Sequence, residues 1–163
     1  MRVKAFLFAL CSILLLGACG TPKTGGTVYN IMDYGAKGDG VTDDAAAIQA
    51  AIDQCSKSGG GTVLVPAGRT FMCSPFHLAS FVELHLEPNS CLLANPDEAA
   101  YTLSAFRDNR GEGMMWIYGQ DLKEVSITGT GAIDGNGVSF MGKELEDSYE
   151  LKPVTDFDPR PHV

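Results

Sequence analysis

The chain has 163 residues, of which 20 are acidic and 12 are basic, and its formal net charge at pH 7 is −8. This acidic balance argues against nucleic acid, or an anionic surface in general, as the binding partner. The composition is that of an exported acidic domain.

The N-terminus has the pattern of a secretory signal peptide. A basic start with Arg2 and Lys4 precedes an uncharged apolar run over residues 5–16. That run is too short to span a bilayer comfortably, because a spanning helix needs roughly 20 residues. It ends in Leu16-Gly17-Ala18-Cys19, which resembles the bacterial lipobox, whose cysteine is lipidated and becomes the first mature residue.

We therefore predict a lipoprotein signal peptide over residues 1–18, a lipid attached to Cys19, and a flexible tether over residues 19–27. The protein is then exported and anchored to the bacterial cell envelope, at the outer membrane or the cell surface. The alternative is an ordinary signal peptide with a cysteine near its cleavage site. Because residues 1–18 contain two basic residues and no acidic one, their removal moves the formal charge from −8 to −10.

The folded domain is predicted to cover residues 28–163, beginning with a short apolar entry over residues 28–32. A tight turn follows, in which glycines supply positive φ and an aspartate folds back on the backbone: Gly35, Gly38, Asp39 and Gly40. Next come three residues that offer oxygens to the first-turn amides of a helix: Thr42, Asp43 and Asp44. We expect this helix over residues 42–57, with Ile48, Ala51, Ile52 and Cys55 forming its apolar stripe.

The rest of the chain predicts short strands separated by turns. The clearest is Val82–Leu86, whose apolar residues alternate with Glu83 and His85 and so point inward. Other strands are expected at residues 62–65, 71–73, 76–78, 91–94, 114–118 and 124–128, with an irregular loop over residues 97–113. Such short strands with one long helix favour a solenoid over a sandwich, with the helix capping a stack that starts at Thr62–Val65.

Two motifs resemble a known family. Residues 33–68, DYGAKGDGVTDDAAAIQAAIDQCSKSGGGTVLVPAG, resemble the N-terminal signature of the pectin lyase-like superfamily. Residues 126–137, SITGTGAIDGNG, are similar to a motif of glycoside hydrolase family 28, the polygalacturonases. The resemblance implies an all-β, right-handed parallel β-helix with an N-terminal capping helix. The sequence departs at residues 138–141, where family members often carry paired tryptophans.

The resemblance also implies hydrolysis of galacturonic-acid-rich pectic polysaccharide with inversion. In that reaction one carboxyl group acts as the acid and another as the base on opposite sides of the scissile bond, and roughly 6.5–9.5 Å separates the two groups. The family's catalytic motifs are Asn-Thr-Asp, Gly-Asp-Asp, Gly-His-Gly and Arg-Ile-Lys, and none occurs in the 163 residues. We therefore assign no catalytic residue, metal or cofactor. The expectation is an N-terminal part of a longer enzyme, incomplete at its C-terminal end and inactive alone.

Few side chains are candidates for a functional role. Asp134, followed by Gly135, is expected mainly to form a turn, and a contact with substrate is its weaker candidate role. Asp43 and Asp44 resemble the family's catalytic aspartate pair, but their position at a helix start favours capping. His77 and His85 have no second ligand at metal spacing. The cysteines at 55, 73 and 91 are expected to be buried free thiols in preference to a disulfide.

Two alternative functions remain open from the residues. One is a lyase that cleaves by β-elimination, which needs a calcium ion and a base. The other is a β-helix that binds carbohydrate, or acts as an adhesin, without catalysis. A pectic substrate would need local Lys or Arg side chains, because the net charge of the protein repels a polyanion.

Overall fold

The computed structural model describes residues 26–105 and 114–140. The predicted signal peptide, Cys19 and most of the tether lie outside this range, as do residues 106–113 and 141–163. Within the described residues, no helix has both the length and the hydropathy needed to cross a bilayer.

The described structure contains ten short strands and one α-helix. The strands are β1 (Val28–Asn30), β2 (Asp39–Asp43), β3 (Gly61–Val65), β4 (Thr70–Cys73), β5 (Phe76–His77), β6 (Val82–Leu86), β7 (Cys91–Ala94), β8 (Ile117–Tyr118), β9 (Ser126–Gly129) and β10 (Ala132–Asp134). Helix α1 is Ala45–Lys57, and 3-10 turns cover Ile31–Tyr34, Glu98–Ala100 and Gly137–Phe140.

The strands form three parallel sheets, as expected for coils stacked on one another. Sheet A has the order β1-β3-β6-β9, sheet B has the order β10-β7-β4-β2, and sheet C pairs β5 with β8. Equivalent residues of successive coils lie opposite each other, as in the row Val63, Leu84 and Ile127. The predicted parallel β-helix is confirmed.

One prediction about the stack is wrong: its first strand is Val28–Asn30, not Thr62–Val65. Tyr29 pairs in register with Val63, so β1 lies on the outer side of β3. β1 has only three residues and runs directly into a 3-10 turn, so it is too short to show an alternating pattern. By contrast, the predicted bounds of β6 and β7 are confirmed.

The core lies between the sheets and is filled by inward-facing side chains of successive coils. Val63 and Leu84 are fully buried on sheet A, and Phe71 and Leu92 are fully buried on sheet B. Trp116 is also fully buried, and its indole Nε1–H donates to the Cys73 carbonyl at 2.9 Å. A buried indole thus keeps its hydrogen bond, which avoids the cost of an unpaired donor.

The three cysteines of the described region are free thiols, as expected. Cys55 and Cys73 are buried, whereas Cys91 is half-buried. Burial raises the pKa of the Cys55 and Cys73 thiols, which keeps them protonated and poorly reactive at neutral pH.

Helix α1 closes the first coil with its apolar stripe. Ile48, Ala51, Ile52 and Cys55 are fully buried, and the helix packs against β1, β3 and the 3-10 turn Ile31–Tyr34. The helix begins at Ala45 and not at residue 42 as predicted, because Asp39–Asp43 is a strand paired with β4.

A side chain of the helix also binds the backbone of β5. Gln49 Oε1 accepts from the His77 amide at 2.9 Å, and Gln49 Nε2 donates to the His77 carbonyl at 3.2 Å. The Gln49 amide therefore pairs with β5 as a residue of a neighbouring strand would.

The glycines of the segment 126–137 fit a close approach between two coils. The amides of Thr130 and Gly131 both donate to the Leu86 carbonyl, at 3.0 and 3.2 Å. Gly129 has a φ of +96°, and a Cβ at this position would lie well under 3.0 Å from that same carbonyl oxygen, closer than real Cβ atoms come. Only glycine fits there, so this motif is built around the packing of two coils.

Candidate functional site

Asp44 is the anchor of the glycine turn. Its side chain is 2% exposed, and its two carboxylate oxygens accept from the amides of Lys37 at 2.6 Å and Gly38 at 3.0 Å. Asp44 occupies the N-cap position of helix α1 but makes no side-chain capping hydrogen bond. The predicted capping role is therefore wrong for Asp44, whose oxygens are taken by the preceding turn.

Asp39 organises the same turn from its exposed side. Its Oδ1 accepts from the amides of Val41 and Thr42, and its Oδ2 accepts from the Thr42 hydroxyl at 2.7 Å. These bonds, with that from the Thr42 amide the strongest, lower the pKa of Asp39 to about 2. Thr42 thus binds Asp39 and does not cap the helix, which corrects its predicted role. Gly35, Gly38 and Gly40 all have positive φ, the conformation expected of them in this turn.

Asp43 connects the helix start to two coils of sheet B. Its Oδ1 accepts from the amides of Ala45 and Ser74, both at 3.0 Å, and its Oδ2 accepts from the Ser74 hydroxyl at 2.5 Å. Asn95 Nδ2 donates to Oδ2 at 3.4 Å. Burial opposes the charge of Asp43, but the bonds from Ser74 and Ala45 outweigh it and lower its pKa. Asp43 and Asp44 therefore serve separate structural partners.

Asp134 lies at the end of β10, where its Oδ1 accepts from the Asn136 amide at 2.8 Å. Asn136 in turn donates from Nδ2 to the Ala94 carbonyl of the preceding coil at 3.0 Å. With Gly135 between them, these two residues form the turn that leaves sheet B. The hydrogen bond from the Asn136 amide is enough to account for an aspartate at this position of the turn.

The outer face of sheet A carries a polar cluster that the sequence did not single out, and we name it the outer-face cluster: Thr62, Glu83, His85 and Thr128. Glu83 accepts from the hydroxyls of Thr128 at 2.6 Å and Thr62 at 3.0 Å. His85 Nδ1 lies 2.8 Å from the Thr128 hydroxyl and 3.7 Å from Glu83. Three successive coils therefore contribute to one network of hydrogen bonds.

The chemistry of this cluster centres on an ionised carboxylate. The hydroxyls of Thr128 and Thr62, with a smaller effect from His85, lower the pKa of Glu83. An ionised, partly exposed carboxylate suits the binding of hydroxyl groups or the acceptance of a proton, and is poorly suited to proton donation. The only sequence signal was the alternation that placed Glu83 and His85 outward, because the partner threonines come from other coils.

Metal binding has no support in the described residues, where no group of three or more His, Cys, Asp or Glu side chains could hold an ion. His77, the second histidine considered, contacts the helix: its Nε2 lies 3.2 Å from Gln49 Nε2 and 3.8 Å from Asp53. This places His77 at the helix–strand contact, 28 residues from Gln49 in sequence.

Residues 28–105 match the family model described as rhamnogalacturonase A/epimerase, pectate lyase-like. A probable polygalacturonase of Arabidopsis thaliana is 31% identical over 121 residues, which are 72% of this chain and 25% of that protein. Alginate lyase 7 of Azotobacter vinelandii is 68% identical over 40 residues, which are 24% of this chain and 5% of that protein.

Among solved structures, a hyperthermoactive exopolygalacturonase from Thermotoga maritima is 34% identical, with a TM-score of 0.59. The match covers 68% of this chain and 25% of that one. The chain thus spans about a quarter of the length of these polygalacturonases. The matched structures are right-handed β-helix proteins, so the described coils have the same hand. From the family model, the relatives and the fold, the chain belongs to the pectin lyase-like superfamily and is related to the family 28 polygalacturonases.

Proposed function

We propose that the chain provides coils of a polygalacturonase-type hydrolase that acts on galacturonic-acid-rich pectic polysaccharide. The observation that carries this proposal is the similarity to the Thermotoga maritima exopolygalacturonase, at 34% identity over 68% of the chain. The segment 126–137 supports it, because it follows the family 28 pattern and an added Cβ at Gly129 or Gly131 would collide with the preceding coil.

A polyanionic substrate needs local cations on an acidic protein, and one pair is available at the glycine turn. Lys37 and Arg69 are both exposed, and Arg69 Nη1 donates to the Lys37 carbonyl at 3.2 Å. This hydrogen bond holds the two residues together beside the starts of β2 and β4, where their charges can act on the same carboxylate group.

The proposal is tested with a chimera. The part of the Thermotoga maritima enzyme that aligns with this chain is replaced by residues 28–140, and reducing sugar is measured with polygalacturonate. We expect the chimera to hydrolyse the polymer, because the inserted coils continue the same stack. The 163-residue chain by itself is expected to release none, since it carries none of the four catalytic motifs.

The control is a thermal unfolding curve of the chimera, which shows whether the graft has folded. A chimera that unfolds cooperatively but releases no reducing sugar would contradict the proposal.

A lyase is the second candidate, favoured by the 40-residue match at 68% identity to alginate lyase 7. β-Elimination leaves an unsaturated sugar that absorbs in the ultraviolet, whereas hydrolysis does not. A second chimera, in which the aligned 40 residues of alginate lyase 7 are replaced by those of this chain, is therefore read by absorbance with alginate. Absorbing product from this chimera, with no reducing sugar from the first one, would support the lyase.

We further propose that the protein is exported and held at the cell envelope by a lipid on Cys19. A fatty-acid probe fed to expressing cells should label the wild-type protein, and the Cys19→Ala variant should lose the label and leave the membrane fraction. The matched control is Cys11→Ala, which removes a thiol from the apolar run of the signal peptide and should leave labelling intact. Unchanged membrane association of Cys19→Ala would refute lipid anchoring.

A further inference from the structure

A groove of about 610 Å³ opens where strands β3, β6 and β9 of sheet A begin. Its lining includes the glycine turn at residues 59–61 and polar walls with Thr62, Glu83, Glu124 and Ser126. Phe81 contributes the aromatic wall. Among the described residues that line the groove, none is lysine or arginine.

Phe81 is in a conformation that does not suit it. Its φ is +66°, in the left-handed region that favours glycine and asparagine. The backbone is fixed there from both sides, because its amide donates to the Lys123 carbonyl at 2.9 Å and its carbonyl accepts from the Gly61 amide at 3.1 Å. A glycine or asparagine would meet the same backbone requirement with less strain.

The side chain of Phe81 contributes little to the core. It is 45% exposed, it lines the groove, and it is not part of the buried core cluster. An exposed aromatic ring next to hydrogen-bonding groups is typical of a surface that binds a ligand with one apolar face and polar edges.

The polar walls define which ligand fits. Glu83 is already positioned by Thr62 and Thr128, and a carboxylate accepts strong hydrogen bonds from hydroxyl donors. Glu124 adds a second carboxylate. Two carboxylates without a cation in the same groove repel a uronic acid but accept the hydroxyls of an uncharged sugar.

We propose that this groove is a binding subsite for a neutral sugar unit, which stacks on Phe81 and donates its hydroxyls to Glu83 and Glu124. The proposal rests on the proposed function, since it assigns a polysaccharide as ligand. It deepens that function by naming the uncharged residues of the polymer, and not its galacturonate backbone, as what this part of the protein recognises.

The test uses the full chain and two probes that differ only in charge: tetragalacturonate and the same oligomer with its carboxyl groups reduced to alcohols. Calorimetry at low salt is expected to show at least tenfold tighter binding of the reduced, neutral oligomer. Added salt should narrow the difference by weakening repulsion of the acidic one. Equal or tighter binding of tetragalacturonate would overturn the proposal, and so would no binding of the neutral probe.

Variants at Phe81 separate binding from folding. Phe81→Asn suits the left-handed backbone, so we expect an unchanged or higher Tm together with at least a tenfold loss of affinity for the neutral oligomer. Phe81→Tyr keeps the ring and should retain binding. Leu103→Asn is the matched control, because Leu103 is equally exposed at 45% and lies outside the groove. Full affinity in Phe81→Asn would sink the idea.

Glu124→Gln tests the charge of the groove. The amide keeps an acceptor but removes one negative charge, so the preference for the neutral over the acidic oligomer should fall severalfold. A preference unchanged by this variant would contradict the role of Glu124. The chimera assay on polygalacturonate tests the proposed hydrolase separately from the binding of the neutral oligomer. A negative result in one experiment therefore leaves the result of the other interpretable.

Discussion

Replacing Ile52 by aspartate is expected to destabilise the protein by about 4 kcal/mol or more. Ile52 is fully buried in the stripe that helix α1 lays on the first coil. The variant removes an apolar side chain from a packed site and places a carboxyl group there without a partner. Chemical denaturation of wild type and variant, compared by their unfolding midpoints, measures the difference.

The matched control is Ala50→Asp in the same helix. Ala50 is exposed, so this change buries no charge. It should lower the free energy of unfolding by only about 0.5 kcal/mol, because aspartate has a lower helix propensity than alanine. Similar unfolding midpoints for Ile52→Asp and Ala50→Asp would show that the helix does not pack on the coil as described.

Gly129→Ala is expected to have a comparable effect, about 4 kcal/mol or loss of cooperative folding. The added Cβ would collide with the Leu86 carbonyl oxygen, which is backbone and already accepts from Thr130 and Gly131. Neither coil can move away without breaking these hydrogen bonds. Thermal unfolding followed by circular dichroism is the measurement.

Substitutions at two other glycines separate the cost of the backbone conformation from the cost of the steric contact with Leu86. Gly68 has a φ of +69°, but an added Cβ would meet nothing within 4 Å. Gly68→Ala therefore tests the backbone conformation alone, and we expect it to lower the free energy of unfolding by about 1–2 kcal/mol. Gly137 has the same open space and its φ lies outside the left-handed region, so Gly137→Ala should change little. A loss in Gly129→Ala no larger than in Gly68→Ala would contradict the close contact with Leu86.

The strands that could be predicted are those whose side chains alternate over four or five residues. Val82–Leu86 and Cys91–Ala94 have this pattern, and their bounds are confirmed. β1, with three residues, is too short to show a period. Its pairing with the longer strand β3 defines it as a strand, and that information lies in another coil.

The predicted start of the helix is wrong for a related reason. Thr42, Asp43 and Asp44 have the composition of an N-cap, but only Asp43 accepts from an amide of the first turn, that of Ala45. Thr42 and Asp44 bind Asp39 and the turn at Lys37 instead. Side-chain oxygens bond whichever donor the fold brings close, and a sequence pattern shows only the local donors. Phe81 could not be found from the sequence either, because its left-handed backbone is imposed by Gly61 and Lys123 of other turns.

The pairing of Gln49 with His77 has a consequence for association between molecules. A strand with a free edge offers amides and carbonyls to any other chain, which is a common route to aggregation. On β5 these groups are occupied at His77 by the side chain of Gln49, while β8 takes the opposite side. The capping helix therefore shields a strand as well as the apolar interior, and it does so with a residue on its polar flank. In sheet C, one glutamine of the capping helix therefore takes the place at His77 that an added strand would occupy.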